Sequence, residues 1–429
     1  MRLPSGRCLA LTMTTVSRPA SPAPTHAPLD RHTVINGELH IGDEPLTGLA
    51  ARLARTPFYA YDRRLIDSRI AELRAALPAG IKLHYAMKAN PMPELVTHMA
   101  RRVEGIDVAS AGELSVALEA GADPREISFA GPGKRDEELH AAVAAGILIN
   151  IESFREVPLL ARYARELDRP ARVAVRINPD FELKSSGMIM GGGPKPFGVD
   201  AEEVPRLLAE IAAAGLAFEG FHLFAGSQNL HAQAIIETQR QCFELACRLA
   251  EHAPGPVRSL NLGGGFGIPY FPGDQPLDLA PIGAHLATLQ AEAAQRLPEA
   301  GIVLELGRYL VGEAGIYVCR ILDRKISRGQ VFLITDGGLH HHLAASGNFG
   351  QVIRKNYPVA IGNRMHPEQP ELASVVGPLC TPLDLLADRM PLAPAQTGDL
   401  VVVFQSGAYG ASASPQRFLG HPEVIEVLL

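Results

Sequence analysis

The chain has 429 residues, of which 47% are hydrophobic and 20% charged, and its formal net charge is −6. This composition suits a globular protein of two or three domains, because one barrel takes about 250 residues. An acidic balance without a long basic run argues against nucleic acid as the main partner. No apolar stretch approaches the roughly 20 residues needed to cross a bilayer, so no membrane segment is predicted.

The first 30 residues are rich in Pro, Ser, Thr and Ala and predict a disordered tail. The apolar piece at residues 8–11 is shorter than the core of a signal peptide, which has about 7–15 residues. Met13 is an alternative start of the chain. Five cysteines, an odd number in a long chain, argue against a disulfide framework and favour a cytoplasmic protein.

Strand-like and helix-like segments alternate from residue 58 to residue 306. The strand candidates are short apolar runs at 58–61, 82–87, 105–109, 127–130, 148–151, 171–177, 218–224, 259–262 and 302–306. Helical periods lie between them, for example at 64–77, 112–120, 137–145, 154–166, 204–214 and 232–250. This alternation is typical of parallel β/α units. It predicts a (β/α)8 barrel over residues 57–317, with an open doubly wound sheet as the alternative.

A second, mostly β domain is predicted over residues 318–429. Short β-like runs at 331–334, 373–376 and 400–404 stand among Pro and Gly, with few helical periods. Residues 31–56 contain a strand-like run at 33–41 that is expected to join this domain. The predicted fold class is therefore α/β, with an N-terminal barrel and a C-terminal β barrel or sandwich.

Lys88 is the first candidate for chemistry. It follows the buried run 81–87 and precedes Pro91, which forces a turn, so it should lie at the carboxyl end of a strand. Catalytic side chains gather at that face of parallel barrels. A partly desolvated lysine there can have a lowered pKa and form a Schiff base. Taken alone, a solvated loop lysine is the simpler interpretation.

Two other strand ends carry an anion-binding pattern. Residues 261–267 read NLGGGFG, and consecutive glycines let backbone N–H groups surround a phosphate. A dinucleotide-binding fingerprint would need glycine at position 268, where Ile268 stands. Gly226 and Ser227 also end a strand and can donate to the same phosphate. A plain tight turn is the alternative for the glycine run.

Charged and reactive side chains follow later in the chain. Glu305 and Arg308 stand three residues apart, so the acid can meet a heteroaromatic N–H and the arginine a phosphate, with a surface ion pair as the alternative. Cys380 is either a proton donor or an inert thiol. Tyr409 lies between glycines and can donate to phosphate. The glycine-rich residues 191–198 are interpreted as a mobile loop or lid, and no metal site is predicted.

Together and in this order, these motifs resemble the pyridoxal-phosphate decarboxylases of the alanine-racemase-like fold, which include ornithine and diaminopimelate decarboxylases. The resemblance runs from about Val34 to the C-terminus. It implies pyridoxal 5′-phosphate as the cofactor, bound by the barrel, and a homodimer with shared active sites. The motifs that carry it are Lys88, Gly226 and Ser227, Gly263 to Gly265, Glu305 to Arg308, Cys380 and Tyr409.

The resemblance also implies a role for each matching residue. Lys88 resembles the Schiff-base lysine, and Cys380 resembles the acid that reprotonates the α-carbon from the partner subunit, so these two are the predicted catalytic residues. Glu305 resembles the carboxylate that keeps the pyridine nitrogen protonated, which favours decarboxylation over racemisation. The predicted cofactor-binding residues are Lys88, Arg176, Phe224, Ser227, Gly264, Gly265, Glu305, Gly307, Arg308 and Tyr409.

Two positions depart from the ornithine and diaminopimelate decarboxylases. Phe224 replaces the histidine that stacks on the cofactor ring, and phenylalanine can also stack. His222 matches a different histidine of the family. Thr381 follows Cys380 where those enzymes carry an acid for the substrate's distal ammonium, and burying an ammonium without a partner is costly.

With these departures, the chain resembles the branch of the family that contains glutamyl–carrier-protein decarboxylases and their exosortase-associated relatives. The implied function is α-decarboxylation of an L-amino acid, or of its acyl form on a carrier protein. Diaminopimelate decarboxylation to L-lysine is the main alternative, followed by an amino-acid racemase and a catalytically inactive binding protein. The candidate substrate-binding residues are Arg308, Arg354, Tyr357, Thr381 and Tyr409.

Overall fold

A closed barrel of parallel strands forms the larger part of the fold. The computed structural model describes residues 25–181, 188–189 and 191–429. Eight strands pair in chain order, and the last pairs with the first, which confirms the predicted barrel. They are Lys82–Ala86, Gly105–Val108, Ile127–Phe129, Leu148–Ile151, Arg172–Asn178, Ala217–Leu223, Ser259–Gly264 and Gly301–Leu306. Two short strands, Met188–Ile189 and Gly226–Ser227, pair with each other, and Val199–Asp200 pairs with the last two residues of Arg172–Asn178.

Helices cover the outside of the barrel, because each packs an apolar stripe against the strands. Asp62 and Ser110 begin two of them by accepting backbone N–H groups at 2.9 and 3.1 Å. The barrel helices are Arg63–Ala76, Pro93–Met99, Ala111–Glu119, Asp136–Ala145, Glu156–Glu166, Val204–Ala213, Ala232–Ala250, Ala280–Arg296 and Arg308–Val311, with short 3-10 turns at Met87–Ala89, Pro124–Glu126 and Gly312–Ala314. Across the described ranges, no helix is long and apolar enough to span a bilayer.

The second domain is a mostly antiparallel sheet of eight strands, which agrees with the prediction of a mostly β domain. Its long strand Gly315–Ser327 pairs with Leu400–Val403 on one side and Gln330–Thr335 on the other. The remaining strands are Val359–Ile361, Glu371–Val376, Leu385–Leu392, Phe58–Tyr61 and Ile425–Leu428, and 3-10 turns lie at Ala411–Ala413 and Phe418–Gly420.

The strand Phe58–Tyr61 lies outside the barrel, in contrast to the prediction that residues 57–317 form it. It pairs with Gly315–Ser327 and with Ile425–Leu428 in the β domain. The strand Gly315–Ser327 likewise begins before the predicted boundary at 317. The barrel therefore extends from the helix Arg63–Ala76 to the turn Gly312–Ala314. Four consecutive buried apolar residues have the same pattern in either sheet, so sequence alone does not identify their partners.

The segment before the barrel forms a small sheet of its own, rather than adding a strand to the β domain. Its strands are Thr33–Ile35, Glu38–Ile41 and Glu44–Pro45, followed by the helix Leu46–Leu53. Asn36 and Gly37 both have positive φ, 51° and 78°, so they close a tight hairpin that pairs the chain with itself. The sheet packs on the β domain through a shared apolar cluster and two backbone hydrogen bonds, from the Leu39 N–H to Gly362 O at 2.8 Å and from the Met365 N–H to Gly37 O at 2.6 Å.

The predicted disordered tail ends earlier than residue 30. The carbonyl of Thr25 accepts the Gly273 N–H at 2.8 Å, and the His26 ring bonds to the Asn356 carbonyl at 2.9 Å. Ala27 is buried. Residues 25–27 therefore contact a barrel loop and a β-domain loop, and residues 1–24 of the predicted tail lie outside the described residues.

Candidate active site

Lys88 lies at the carboxyl end of the first barrel strand, as predicted. The turn Met87–Ala89 directs its side chain into a cavity, where Nζ is 3.6 Å from Oε1 of Glu305 and 5.3 Å from the centre of the Phe224 ring. The side chain is 45% accessible because the cavity is open to solvent, although protein surrounds it. The central lysine, the acid and the aromatic ring of the predicted site therefore come together.

Glu305 is the anionic centre of this cavity. Its Oε2 is 3.0 Å from Nε2 of His222, and its side chain is 6% exposed. Burial alone would raise the pKa of Glu305, but Lys88 and His222 outweigh burial and hold that pKa well below the usual range. Burial would lower the pKa of Lys88, but Glu305 and Tyr409 raise it. The lowered lysine pKa expected from desolvation is therefore wrong for the free protein: Lys88 is an ammonium paired with a carboxylate.

A second cavity continues from Lys88 along the barrel rim. The predicted phosphate-binding residues line it together: Ser227, Gly265, Gly307, Arg308 and Tyr409. Gly265 has φ of 70°, and a Cβ there would overlap the carbonyl oxygen of Gly226. A Cβ at Gly307 would come 2.8 Å from the Cβ of Ala89. Only glycine lets the backbone approach so closely, so these glycines form a cradle. Gly264 ends the neighbouring strand behind it.

Aromatic rings hold Arg308 at this cradle. Its Nη1 donates to the Tyr270 hydroxyl at 3.1 Å, and the guanidinium lies 4.6 Å from the centre of the Tyr409 ring. Tyr409 has φ of 55°, uncommon for tyrosine, and its N–H donates to the Ala89 carbonyl at 2.7 Å. Tyr357 is buried against Tyr270 with ring centres 4.6 Å apart. Tyr357 therefore supports the Arg308 side of the pocket.

Arg176 closes the other side of the Lys88 cavity, which measures about 150 Å³. Its Nη1 donates to Oε1 of Glu152 at 2.8 Å, and its guanidinium lies 5.1 Å from the centre of the Phe197 ring. Glu152 also accepts the Gly198 N–H at 3.0 Å. Phe197 and Gly198 belong to the glycine-rich loop 191–198, so one buried carboxylate ties both the loop and Arg176 to the barrel.

Four residues of the site were not singled out by sequence: Asp107, Glu152 and Phe197 line or support the cavity, and Tyr270 orients Arg308. His222 was noted only as a match to a family histidine, yet it hydrogen-bonds Glu305. A usable signal existed for His222, because it lies two residues before Phe224 and alternate residues of a strand share a face.

Five predicted residues do not line the Lys88 cavities within one chain: Gly264 and Tyr357, which lie behind the cavity walls, and Cys380, Thr381 and Arg354. Cys380 is exposed and Thr381 half-buried, on the loop between the strands Glu371–Val376 and Leu385–Leu392. Arg354 directs three nitrogens to its own chain, donating to Ser346 O, Asn356 Oδ1 and Leu385 O at 3.2, 2.7 and 2.8 Å. The roles of these residues in catalysis and substrate binding stay predictions.

The donor set fits pyridoxal phosphate. Ser227, Gly265, Gly307 and Arg308 form a cationic, N–H-rich cradle that suits a phosphate dianion. The carboxylate of Glu305 suits a pyridine N–H, and Lys88 supplies a primary amine in the same cavity. Among the described residues, no group of His, Cys, Asp and Glu has the arrangement of a metal site.

Comparison with known proteins gives one family. The pyridoxal-binding domain of pyridoxal-dependent decarboxylases matches residues 63–312, which is all of the barrel except the end of its last turn. The L-glutamyl-[BtrI acyl-carrier protein] decarboxylase of Niallia circulans is 38% identical over 91% of this chain and 92% of its own. The diaminopimelate decarboxylase of Aquifex aeolicus is 33% identical over 92% of this chain and 91% of its own.

A solved structure agrees with the fold. Diaminopimelate decarboxylase from M. jannaschii, in complex with L-lysine, has a TM-score of 0.84 at 25% identity and covers 93% of this chain and 92% of its own. The cofactor of the matching family is pyridoxal phosphate, and the enzymes in it are carboxy-lyases. The chain belongs to the pyridoxal-dependent amino-acid decarboxylases, with an alanine-racemase-like barrel and a C-terminal β domain.

Proposed function

We propose that this decarboxylase acts on an amino acid carried as an acyl thioester on a carrier protein, with a glutamyl group as the first candidate. The observation behind the proposal is the loop at Cys380 and Thr381. Its acidic residue, Asp384, is buried and accepts the N–H groups of Leu339 and Leu379 at 2.6 and 2.8 Å. Its carboxylate is therefore occupied, and the loop offers no acid for a distal ammonium. The Niallia circulans relative is named for a carrier-protein substrate, which supports the proposal.

We further propose how this chain's residues serve the reaction. Bound pyridoxal phosphate supplies the electron sink for the bond to the leaving carboxylate. Lys88 would hold the cofactor covalently, and the cradle of Ser227, Gly265, Gly307 and Arg308 would hold its phosphate. Glu305, which His222 contacts at 3.0 Å, would maintain a proton on the ring nitrogen. The Phe224 ring, whose centre is 5.3 Å from Lys88 Nζ, would stack on the cofactor ring.

We propose a homodimer in which Cys380 of one subunit donates a proton at the site of the other. Cys380 is exposed in the single chain. A proton donor that acts on the partner's site has to be exposed in this way before the two subunits associate. The side chains of Val352 and Ile353 are 100% and 77% exposed, and the neighbouring Phe349 ring lies 6.1 Å from that of Tyr409. Such an apolar patch beside the pocket suits burial by a second copy. The exposed free thiol also supports a reducing, cytoplasmic location.

The experiment is CO2 release by the protein loaded with pyridoxal phosphate. The substrates are glutamyl thioester on a phosphopantetheinylated carrier protein, free glutamate, diaminopimelate, ornithine, arginine and lysine. We expect release from the thioester at least tenfold faster than from any free amino acid. Faster release from diaminopimelate would assign the enzyme to lysine synthesis and overturn the proposal. The matched control is Lys88→Ala, which should release no CO2 from any of them.

A further inference from the structure

The interior of the barrel is polar, although side chains inside such barrels are usually branched and apolar. Inward-facing residues on neighbouring strands pair with each other. His84 Nδ1 is 3.0 Å from Oδ1 of Asp107, and Asn150 donates to the Ser128 hydroxyl at 2.8 Å. All four side chains are buried. Of these two pairs, the His84–Asp107 pair is the charged one, and the proposed function gives no role to either residue.

The two members of this pair line different cavities. Asp107 lines the Lys88 cavity at the carboxyl end of the barrel. His84 lines a cavity of about 170 Å³ at the amino end, together with Lys82 and Glu126. Nε2 of His84 and Oδ2 of Asp107 have no hydrogen-bond partner among the described protein atoms. The pair therefore joins the active-site cavity to a solvent-accessible cavity at the opposite face of the barrel.

The charges around His84 favour its protonated form. Burial lowers the pKa of His84, but Asp107, Glu126 and Glu305 raise it above its ordinary value. Glu126 Oε2 lies 3.9 Å from Nε2 and accepts from Lys82 on His84's own strand. The amino-end cavity also contains Arg125, Arg172 and Arg258, opposed by Glu219. At a pH below the pKa of its ring, His84 is therefore an imidazolium, and its positive charge neutralises the carboxylate of Asp107.

We propose that His84 is a positioning residue that orients and neutralises Asp107 beside Lys88, and so sets how much Lys88 is present as the free amine. Only the free amine can bond to the cofactor aldehyde. With His84 protonated, Asp107 adds little negative charge to the cavity. When His84 loses its proton, the bare carboxylate holds the Lys88 ammonium more strongly. The inference rests on the proposed role of Lys88.

The experiment measures how fast pyridoxal phosphate attaches covalently to apo-protein between pH 6 and pH 9, as a ratio of each variant to wild type. The ratio removes the titration of the cofactor itself. At pH 6.5 we expect His84→Asn, which keeps a donor for Asp107 but cannot be charged, to be slower by roughly tenfold. Asp107→Asn should be faster by roughly tenfold. As the pH rises and wild-type His84 loses its proton, the rates of His84→Asn and wild type should converge.

The expected changes in attachment rate have opposite signs for His84→Asn and Asp107→Asn. This distinguishes the proposal from a purely structural role, because loss of structure would slow attachment in both variants. The matched control is Ser128→Ala, which removes the uncharged pair of the same barrel interior and should leave the ratio near one at every pH. His84→Gln is the second variant if His84→Asn is insoluble. Rates that move in the same direction, or ratios independent of pH, overturn the inference. If wild type itself does not attach the cofactor, the proposed role of Lys88 fails instead.

Discussion

Replacement of Glu305 by glutamine should have opposite effects on cofactor attachment and on catalysis. The 3.6 Å separation of Lys88 Nζ from Glu305 Oε1 gives an attraction of about 4–5 kcal/mol at an effective dielectric constant of about 20. Lys88 is 45% accessible, so solvent screening reduces this to about 2 kcal/mol. In Glu305→Gln the Lys88 pKa should fall, and the free-amine fraction at a given pH should rise by roughly 30-fold.

Attachment of pyridoxal phosphate to Glu305→Gln apo-protein should therefore be faster than to wild type below pH 8. Release of CO2 should nevertheless fall by roughly a hundredfold or more, because an amide cannot maintain the proton on the ring nitrogen. The rate of attachment is measured by the absorbance of the bound cofactor, and the rate of decarboxylation by the amount of trapped CO2. Glu219→Gln, on a barrel strand but paired with Arg172 at the amino end, is the matched control and should change neither. Slower attachment with unchanged turnover would refute the assigned role.

Three further substitutions test other parts of the account. His342 is buried, with Nδ1 accepting the Ala345 N–H and Nε2 donating to Ser406, and burial lowers its pKa to about 3. Below about pH 6.5 the His342 ring takes up a proton in the unfolded chain but not in the folded chain, so this group should lower the free energy of unfolding of wild type by about 1.4 kcal/mol per pH unit. In thermal unfolding, the melting temperature of His342→Gln should therefore fall less steeply with decreasing pH than that of wild type. Equal slopes for the two proteins would contradict this role of His342. Cys380→Ala should slow turnover without loss of bound cofactor, and apo-protein from this variant would contradict its role. Thr381→Glu should raise CO2 release from diaminopimelate, and an unchanged rate would weaken the ammonium argument.

The barrel was predictable because its strands are buried on both faces and its helices are amphipathic. The predicted strand at 148–151 and helix at 232–250 agree with the structure at both ends, and most others differ by one or two residues. The long strand Gly315–Ser327 was missed because its second half is exposed and polar, without an apolar run. The hairpin at Asn36 and Gly37 carried a usable signal, since Asn-Gly favours a tight turn that closes a strand on its neighbour.

Within the site, sequence identified the residues but not their contacts. His222 and Glu305 lie 83 positions apart, on strands that flank Ser259–Gly264, so their hydrogen bond depends on barrel closure and register. The sign of the Lys88 pKa shift follows from that same geometry, because desolvation and the Glu305 charge act in opposite directions. A residue that acts at the site of a second subunit, as proposed for Cys380, reaches that site only in the assembled dimer. The contacts of such a residue cannot be read from the sequence of one chain.

The most direct test of the central claim is to identify the lysine that carries the cofactor. Protein loaded with pyridoxal phosphate is reduced with borohydride and digested, and the pyridoxyl mass is located by peptide mass spectrometry. We expect one pyridoxyl group per chain, on Lys88, and none in Lys88→Ala. A label on Lys82 or Lys134, or equal labelling of Lys88→Ala, would contradict it.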